Sequence, residues 1–495
     1  MNLSEIIEGH PDGSQALVSR GRPTTYGALR GQVGSLRAEF TRLGIGKGDV
    51  VALLCGNSRY FVVSYLAALG VGAIVSPMNP ASPAPEIEGE MGMVKPSALV
   101  IEPSAFAAWA QVPSSTTSAV RVVIATEGHS IPGALTIDDL LRSPAAPMVD
   151  VDESHPAVYM FTSGTAGSPK AAVLTHGNLL TNIRQVNVLE HVGPTDVTFG
   201  VLPLFHIFGL TVVLGVTFAG GGSVVLVQRF DPVATMETIE ERGITVLAGA
   251  PSMWLALSQI DQPTADVFKN VRIATSGASK LPEQVSQSMA SRFGLRIQEG
   301  YGLTEAAPVV TTSIGASWIP GSIGRPVPGV EVRIVDENGG DVLVGDSGEI
   351  WVRGANVFAG YLDDPEATAR VLTRDGWLKT GDIAVVDDEG HLFIVDRVKD
   401  LVIVSGFNVF PAEVESVIAS HEGIAEVAVV GTPHPHTGEA VRAYVVAKPG
   451  VHLDEDTIID HCRERLARYK CPSKVLLVDA LPRNLTGKVQ RYSLR

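Results

Sequence analysis

Cysteine is scarce in this chain, with three in 495 residues: Cys55, Cys462 and Cys471. Their spacing matches neither a metal-ligand pattern nor the dense, even set of a disulfide scaffold, so a reducing cytoplasm is the expected home. Dense basic blocks are also missing. A net charge of −15 repels a phosphate backbone, which removes nucleic acid as an expected partner. The opening MNLSEIIEGHPDG lacks the basic patch and apolar block of a secretory signal, so no export is expected. One charge-free run, Ile207 to Val227, has the length of a membrane span. Gly220, Gly221 and Gly222 divide it into a helix-length piece and the short strand SVVLV. It reads as buried core, and no transmembrane segment is expected.

What is present is an apolar-rich globular composition, 45% hydrophobic and 18% charged, over a length that corresponds to about two to four domains. Strand-like runs alternate with amphipathic stretches up to about residue 390. VVALLC, SALVIE, RVVIAT, VTFGVL, TVLAGA, VRIATSG and LRIQEGYG are examples, and several end in Gly or Ser. This rhythm predicts an α/β fold, in which ligands bind at the loops that follow the strands. From Gly321 the texture becomes short β-like pieces broken by Pro and Gly, read as a β-rich subdomain over about 321–395. After DRVKD the remaining hundred or so residues hold two amphipathic helices, one starting at Pro411 and one spanning DEDTIIDHCRERLARY, with alternating strands such as AEVAVVG and RAYVVAK. The expected organisation is a large N-terminal domain over 1–396 and a small α+β domain over 397–495.

The stretch TSGTAGSPK, Thr162 to Lys170, follows the apolar run Val158 to Phe161. Phosphate chemistry needs a backbone whose N–H groups converge on oxygen anions, together with a cation. Gly164 and Gly167 supply the freedom, Thr162, Ser163, Thr165 and Ser168 supply hydroxyls, and Lys170 supplies the charge. The Gly-Lys-Ser/Thr ending of a Walker loop is absent and AAVL reads as a strand, so a hairpin loop is implied. Taken alone, the stretch fits equally a Gly/Ser turn with a solvated lysine.

Five further segments follow in order: LPLFHIFG (202–209), EGYGLTEAAP (299–308), TGD (380–382), DRVKDLVIVSGFNVFPAEVE (396–415) and PRNLTGK (482–488). Together with TSGTAGSPK, and over nearly the whole chain, they resemble the adenylate-forming superfamily of acyl-CoA synthetases, firefly luciferase and nonribosomal adenylation domains. The resemblance implies activation of a carboxylic acid by ATP to an acyl-adenylate and pyrophosphate, followed by capture of the acyl group by a thiol. It assigns Thr162, Ser163, Gly164, Thr165, Gly167 and Lys170 to the β- and γ-phosphates, Thr304 to the α-phosphate and Glu305 to Mg²⁺. A carboxylate also suits that hard ion chemically.

By the same resemblance Glu299, Gly300 and Tyr301 line the adenosine and acyl junction, and Asp382 and Arg397 take the ribose. Lys488 serves adenylate formation, Lys399 is the interdomain hinge, and Ser405, Gly406 and Phe407 face the CoA channel. His206 becomes a gate beside an acyl pocket whose other members are Ser276, Gly277, Ala278, Gly302 and Ala307. Read singly, several of these residues have plainer uses: Asp382 in turn chemistry, Arg397 in a surface ion pair, His206 and Trp254 in the core, Lys488 as a solvated tail lysine. The sequence departs from the family pattern at Ala166, where a second threonine is usual, and at Ala171, where glycine is frequent.

The small, apolar pocket set suits a fatty or arylalkanoic acid, and IFGLTVV after His206 carries no acid to hold a substrate ammonium. ATP, Mg²⁺ and CoA are therefore the expected cofactors and co-substrates of an acid:CoA ligase. Loading of an acyl carrier protein is the alternative acceptor chemistry, and a catalytically silent nucleotide-binding protein is the alternative motivated by Ala166. No enzyme nucleophile is required, because the acyl-adenylate is already activated.

Overall fold

The computed structural model describes residues 1–128, 131–162, 169–260, 265–397, 400–404, 407–434, 438–466, 468–483 and 489–494. Two compact units divide the chain: 1–331 with 352–378, and 332–351 with 379–495. Ser163, Gly164, Thr165, Gly167, Lys399, Ser405, Gly406 and Lys488 lie outside the described residues.

The first unit is built on two sheets whose strands are the apolar runs of the sequence. In one, Val50–Leu54 lies between Ile74–Met78 and Ala98–Ile101, all parallel, because each run is buried on both faces and reads as continuous Val, Ile, Leu and Ala. Toward one edge the order continues to Pro156–Thr162, Lys170–Thr175 and Gly360–Tyr361, the last two pairings being antiparallel. The second sheet sets Val197–Gly200, Val246–Gly249, Ile273–Ser276 and Gln298–Gly302 side by side in parallel and then turns antiparallel at Val309–Thr312. The ends of these strands, where Gly249, Ser276 and Gly302 sit, form one rim of the unit.

The charge-free run from Ile207 is core, as its pattern predicts. A helix of wide, π-type turns spans Phe208–Gly215, continues as α-helix over Val216–Gly220, and gives way at the glycines to the buried strand Ser223–Leu226. Among the described residues no helix is long and apolar enough to cross a membrane.

The second unit holds most of a four-stranded sheet ending in Leu378–Val386 and Leu392–Arg397. It also holds a five-stranded sheet in which Ile424–His434 pairs antiparallel with Gly438–Ala447. The helix Pro411–Ala419 begins at the expected proline. The helix Glu455–Arg463 is capped by Asp454, whose side chain accepts the Thr457 N–H, and it stops several residues before the amphipathic pattern does. Their inner faces meet in a core of Val414, Ile418, Ile458, Ile459 and Cys462 with the sheet valines. All three cysteines are free thiols, and burial pushes Cys462 up to about 11, so it is held as a neutral thiol.

Candidate active site

The strands that flank residues 163–168 form a hairpin, as the sequence predicts. Pro156–Thr162 and Lys170–Thr175 run antiparallel, and Thr162 is opposite Lys170 on the rung that closes the loop. Behind this hairpin the helix His176–Glu190 starts with a capping box: Thr175 Oγ1 accepts from Asn178 N, and Asn178 Oδ1 accepts from Thr175 N. That helix also anchors the rest of the site. Asn178 Nδ2 donates to the carbonyls of Ala355 and Val357, and Asn182 exchanges two hydrogen bonds with the backbone of Val309.

The EGYGLTEAAP segment leaves its strand as a short 3₁₀ turn, Thr304–Ala306, which Ala307 ends in the left-handed region at φ 66°. Gly302 is required here, since a Cβ would land on the carbonyl of Pro308. Glu299, expected at the adenosine junction, is buried. Its carboxylate accepts the backbone N–H groups of Leu281 and Gly321 at 3.3 and 3.1 Å. Burial raises its pKa against the opposing pull of those two donors. The side chain thus ties together the loops around the strand end.

A segment that sequence reasoning missed, GANVFAGY at 354–361, holds the Thr304–Ala306 turn. Asn356, fully buried, donates through Nδ2 to the carbonyl of Ala306 at 2.8 Å, and Phe358 N donates to the carbonyl of Glu305 at 2.8 Å. Tyr361 Oη donates to Glu305 Oε1 at 2.7 Å, and Lys170 Nζ lies 4.9 Å from the centroid of the same ring. Burial and the neighbouring Glu305 carboxylate both raise the Tyr361 pKa, so its hydroxyl keeps its proton to donate. The signal available was the polar Asn356 inside an otherwise apolar and Gly-rich run.

On the other side of the rim His206 precedes the wide-turned helix, its Nδ1 accepting from Phe208 N at 3.3 Å. The Phe208 ring rests on Gly277, where a Cβ would lie 3.0 Å from the ring. Ser276 is buried and Ala278 takes a left-handed φ of 72°, so the backbone turns sharply at this wall. Trp254 is buried behind Gly249 and donates its indole N–H to the carbonyl of Thr275, which makes it a floor of the core.

In the second unit Asp382 is buried and lies directly opposite Arg397 on paired antiparallel strands. Arg397 is described through its backbone only, as is Phe407, which opens the strand Phe407–Val409.

A hairpin with Thr162 and Lys170 at its joins, linked through Tyr361 to an acid-bearing turn, lies at the edge of largely parallel sheets, the kind of place at which open α/β enzymes bind ligands. The chain belongs to the AMP-binding enzyme family, in the CoA-ligase branch of the adenylate-forming enzymes: residues 3–362 match the model of the AMP-binding enzyme and 413–488 that of its C-terminal domain. Among its relatives, 3-[(3aS,4S,7aS)-7a-methyl-1,5-dioxo-octahydro-1H-inden-4-yl]propanoyl:CoA ligase of Rhodococcus jostii is 37% identical, over 95% of this chain and 93% of that protein. Long-chain-fatty-acid--CoA ligase of Yersinia pestis is 34% identical over 97% and 91%. The crystal structure of ATP-bound MatB from Rhodopseudomonas palustris superposes with a TM-score of 0.93 at 32% identity, over 100% of this chain and 98% of that one.

Proposed function

We propose that this protein is an ATP-dependent acid:CoA ligase for an apolar acid, fatty or arylalkanoic. The observation that carries the reading is the convergence on Tyr361, which brings the lysine of the hairpin and the carboxylate of the acid-bearing turn to one side chain. In this reading the hairpin from Thr162 to Lys170 grips the β- and γ-phosphates through backbone N–H groups, hydroxyls and the ammonium. Thr304 donates to the α-phosphate, and Asp382 with Arg397 receives the ribose hydroxyls. Glu305 would hold Mg²⁺: a carboxylate oxygen suits this hard ion, which when bound neutralises charge on the phosphate oxygens.

A carboxylate oxygen of the acid attacks the α-phosphorus. The bond to the bridging oxygen breaks, pyrophosphate leaves with that electron pair, and Lys488 stabilises the negative charge that concentrates there. The CoA thiolate then attacks the acyl carbon, and AMP departs with the electrons of the C–O bond. Between the steps the domain 397–495 turns on 1–396 at Lys399, withdrawing Lys488 and bringing Ser405, Gly406 and Phe407 to the thiol channel. His206 and the Phe208 ring on Gly277 border the acyl group. The relatives named as acting on a fatty acid and on a bulky cyclic propanoate support an apolar acyl portion.

Incubation with Mg-ATP, a panel of fatty and arylalkanoic acids and CoA tests this. Acid-dependent pyrophosphate and thioester are expected together. Pyrophosphate without CoA thioester would transfer the acceptor role to a carrier protein, and no pyrophosphate with any acid would leave only a silent nucleotide-binding protein.

A further inference from the structure

Lys170 and Glu305 carry opposite charges into one site, and each is given a separate task there. Two such groups within reach would pair with each other, and that contact would have to be broken before phosphate or metal could bind. No ion pair joins them among the described residues; Tyr361 stands between, with its face to the ammonium and its hydroxyl on the carboxylate. Tyr361 is itself fixed on several sides. Its backbone pairs with Ala172, its N–H donates to Thr368 Oγ1 at 2.9 Å, and the Phe358 ring meets its ring edge-on with centroids 5.0 Å apart.

We propose that Tyr361 is a positioning residue that keeps Lys170 and Glu305 apart and separately aimed, so that the cation is available to the triphosphate and the carboxylate to the metal. This rests on the reading of the site above. A hydroxyl that donates to Glu305 fixes the carboxylate in one rotamer, and a π face holds a cation without neutralising it.

The two halves of this arrangement separate in two variants. Tyr361→Phe keeps the ring and loses only the hydroxyl, whereas Tyr361→Leu loses both. By titration calorimetry, Tyr361→Phe is expected to weaken binding of Mg-ATP about tenfold, the usual effect of losing a hydrogen bond to a charged group. It should leave binding of metal-free ATP, measured in chelator, within about twofold, because that bond bears on Glu305 alone. Tyr361→Leu should weaken both. Thioester formation from supplied acyl-adenylate, which uses neither the outer phosphates nor the metal, should persist in both variants. Equal weakening of all three readouts would mark a merely structural tyrosine and overturn the proposal, as would unchanged Mg-ATP binding in Tyr361→Phe. Glu305→Gln distinguishes the levels. If it leaves Mg-ATP binding intact, the reading of the site falls and the proposal with it; if it weakens binding and Tyr361→Phe does not, the proposal falls alone.

Discussion

Asn356 donates a hydrogen bond to the carbonyl of Ala306, fifty positions earlier, from a site fully closed to solvent. Removing the donor leaves a buried carbonyl short of a partner on the turn that carries Glu305. Asn356→Ala is expected to lower stability by ~1–3 kcal/mol in urea unfolding. It should also raise KM for ATP more than KM for CoA.

Gly302 and Gly277, at the ends of neighbouring strands, make opposite demands. At Gly302 a Cβ meets the backbone carbonyl of Pro308, which cannot move without dismantling the turn. Gly302→Ala is therefore expected to cost more than about 100-fold in kcat/KM for every acid.

At Gly277 the Cβ meets a side chain, the Phe208 ring, which can swing away. Gly277→Ala should push that ring into the space for the acyl group, raising KM for the acid by roughly tenfold while KM for ATP stays unchanged. Steady-state kinetics with one acid and varied ATP separates the two cases.

Stability should depend on pH through a buried carboxyl, Glu90. Glu90 is buried on the helix Ala84–Val94 beside Ile87, Met91 and Val94, and burial, helped by Glu86, pushes its pKa up to about 8. A carboxyl whose folded pKa is raised contributes stability that is complete below its unfolded value and is lost as pH rises through the folded one. Glu90→Gln removes the loss, so the variant should match the wild type at pH 5 and exceed it by ~2–4 kcal/mol at pH 9. An equal difference at both pH values would contradict this.

The pairing of Pro156–Thr162 with Lys170–Thr175 was legible because every cue was local: an apolar run, a cluster of turn-forming residues, a second run, with Thr162 and Lys170 at the joins. The buried strands were legible for the same reason. The wide-turned helix Phe208–Gly215 was legible as a helix but not in its pitch, because its all-apolar run carries no period that distinguishes wide turns from ordinary ones. Asn356 and Tyr361 were not legible. Their partners lie 50 and 56 positions away, and the stretch 352–378 returns to the first unit after an excursion into the second, which no local period records. Glu299 was legible as a motif position, but its two backbone donors, Leu281 and Gly321, lie 18 and 22 positions away and left no local signal.

Lys488→Ala separates the two half-reactions most directly. Measured on one preparation, acid-dependent exchange of labelled pyrophosphate into ATP should vanish, while CoA thioester formation from supplied acyl-adenylate continues near the wild-type rate. Exchange that survives the substitution, or equal loss of both half-reactions, would contradict the assignment of adenylate formation to this lysine.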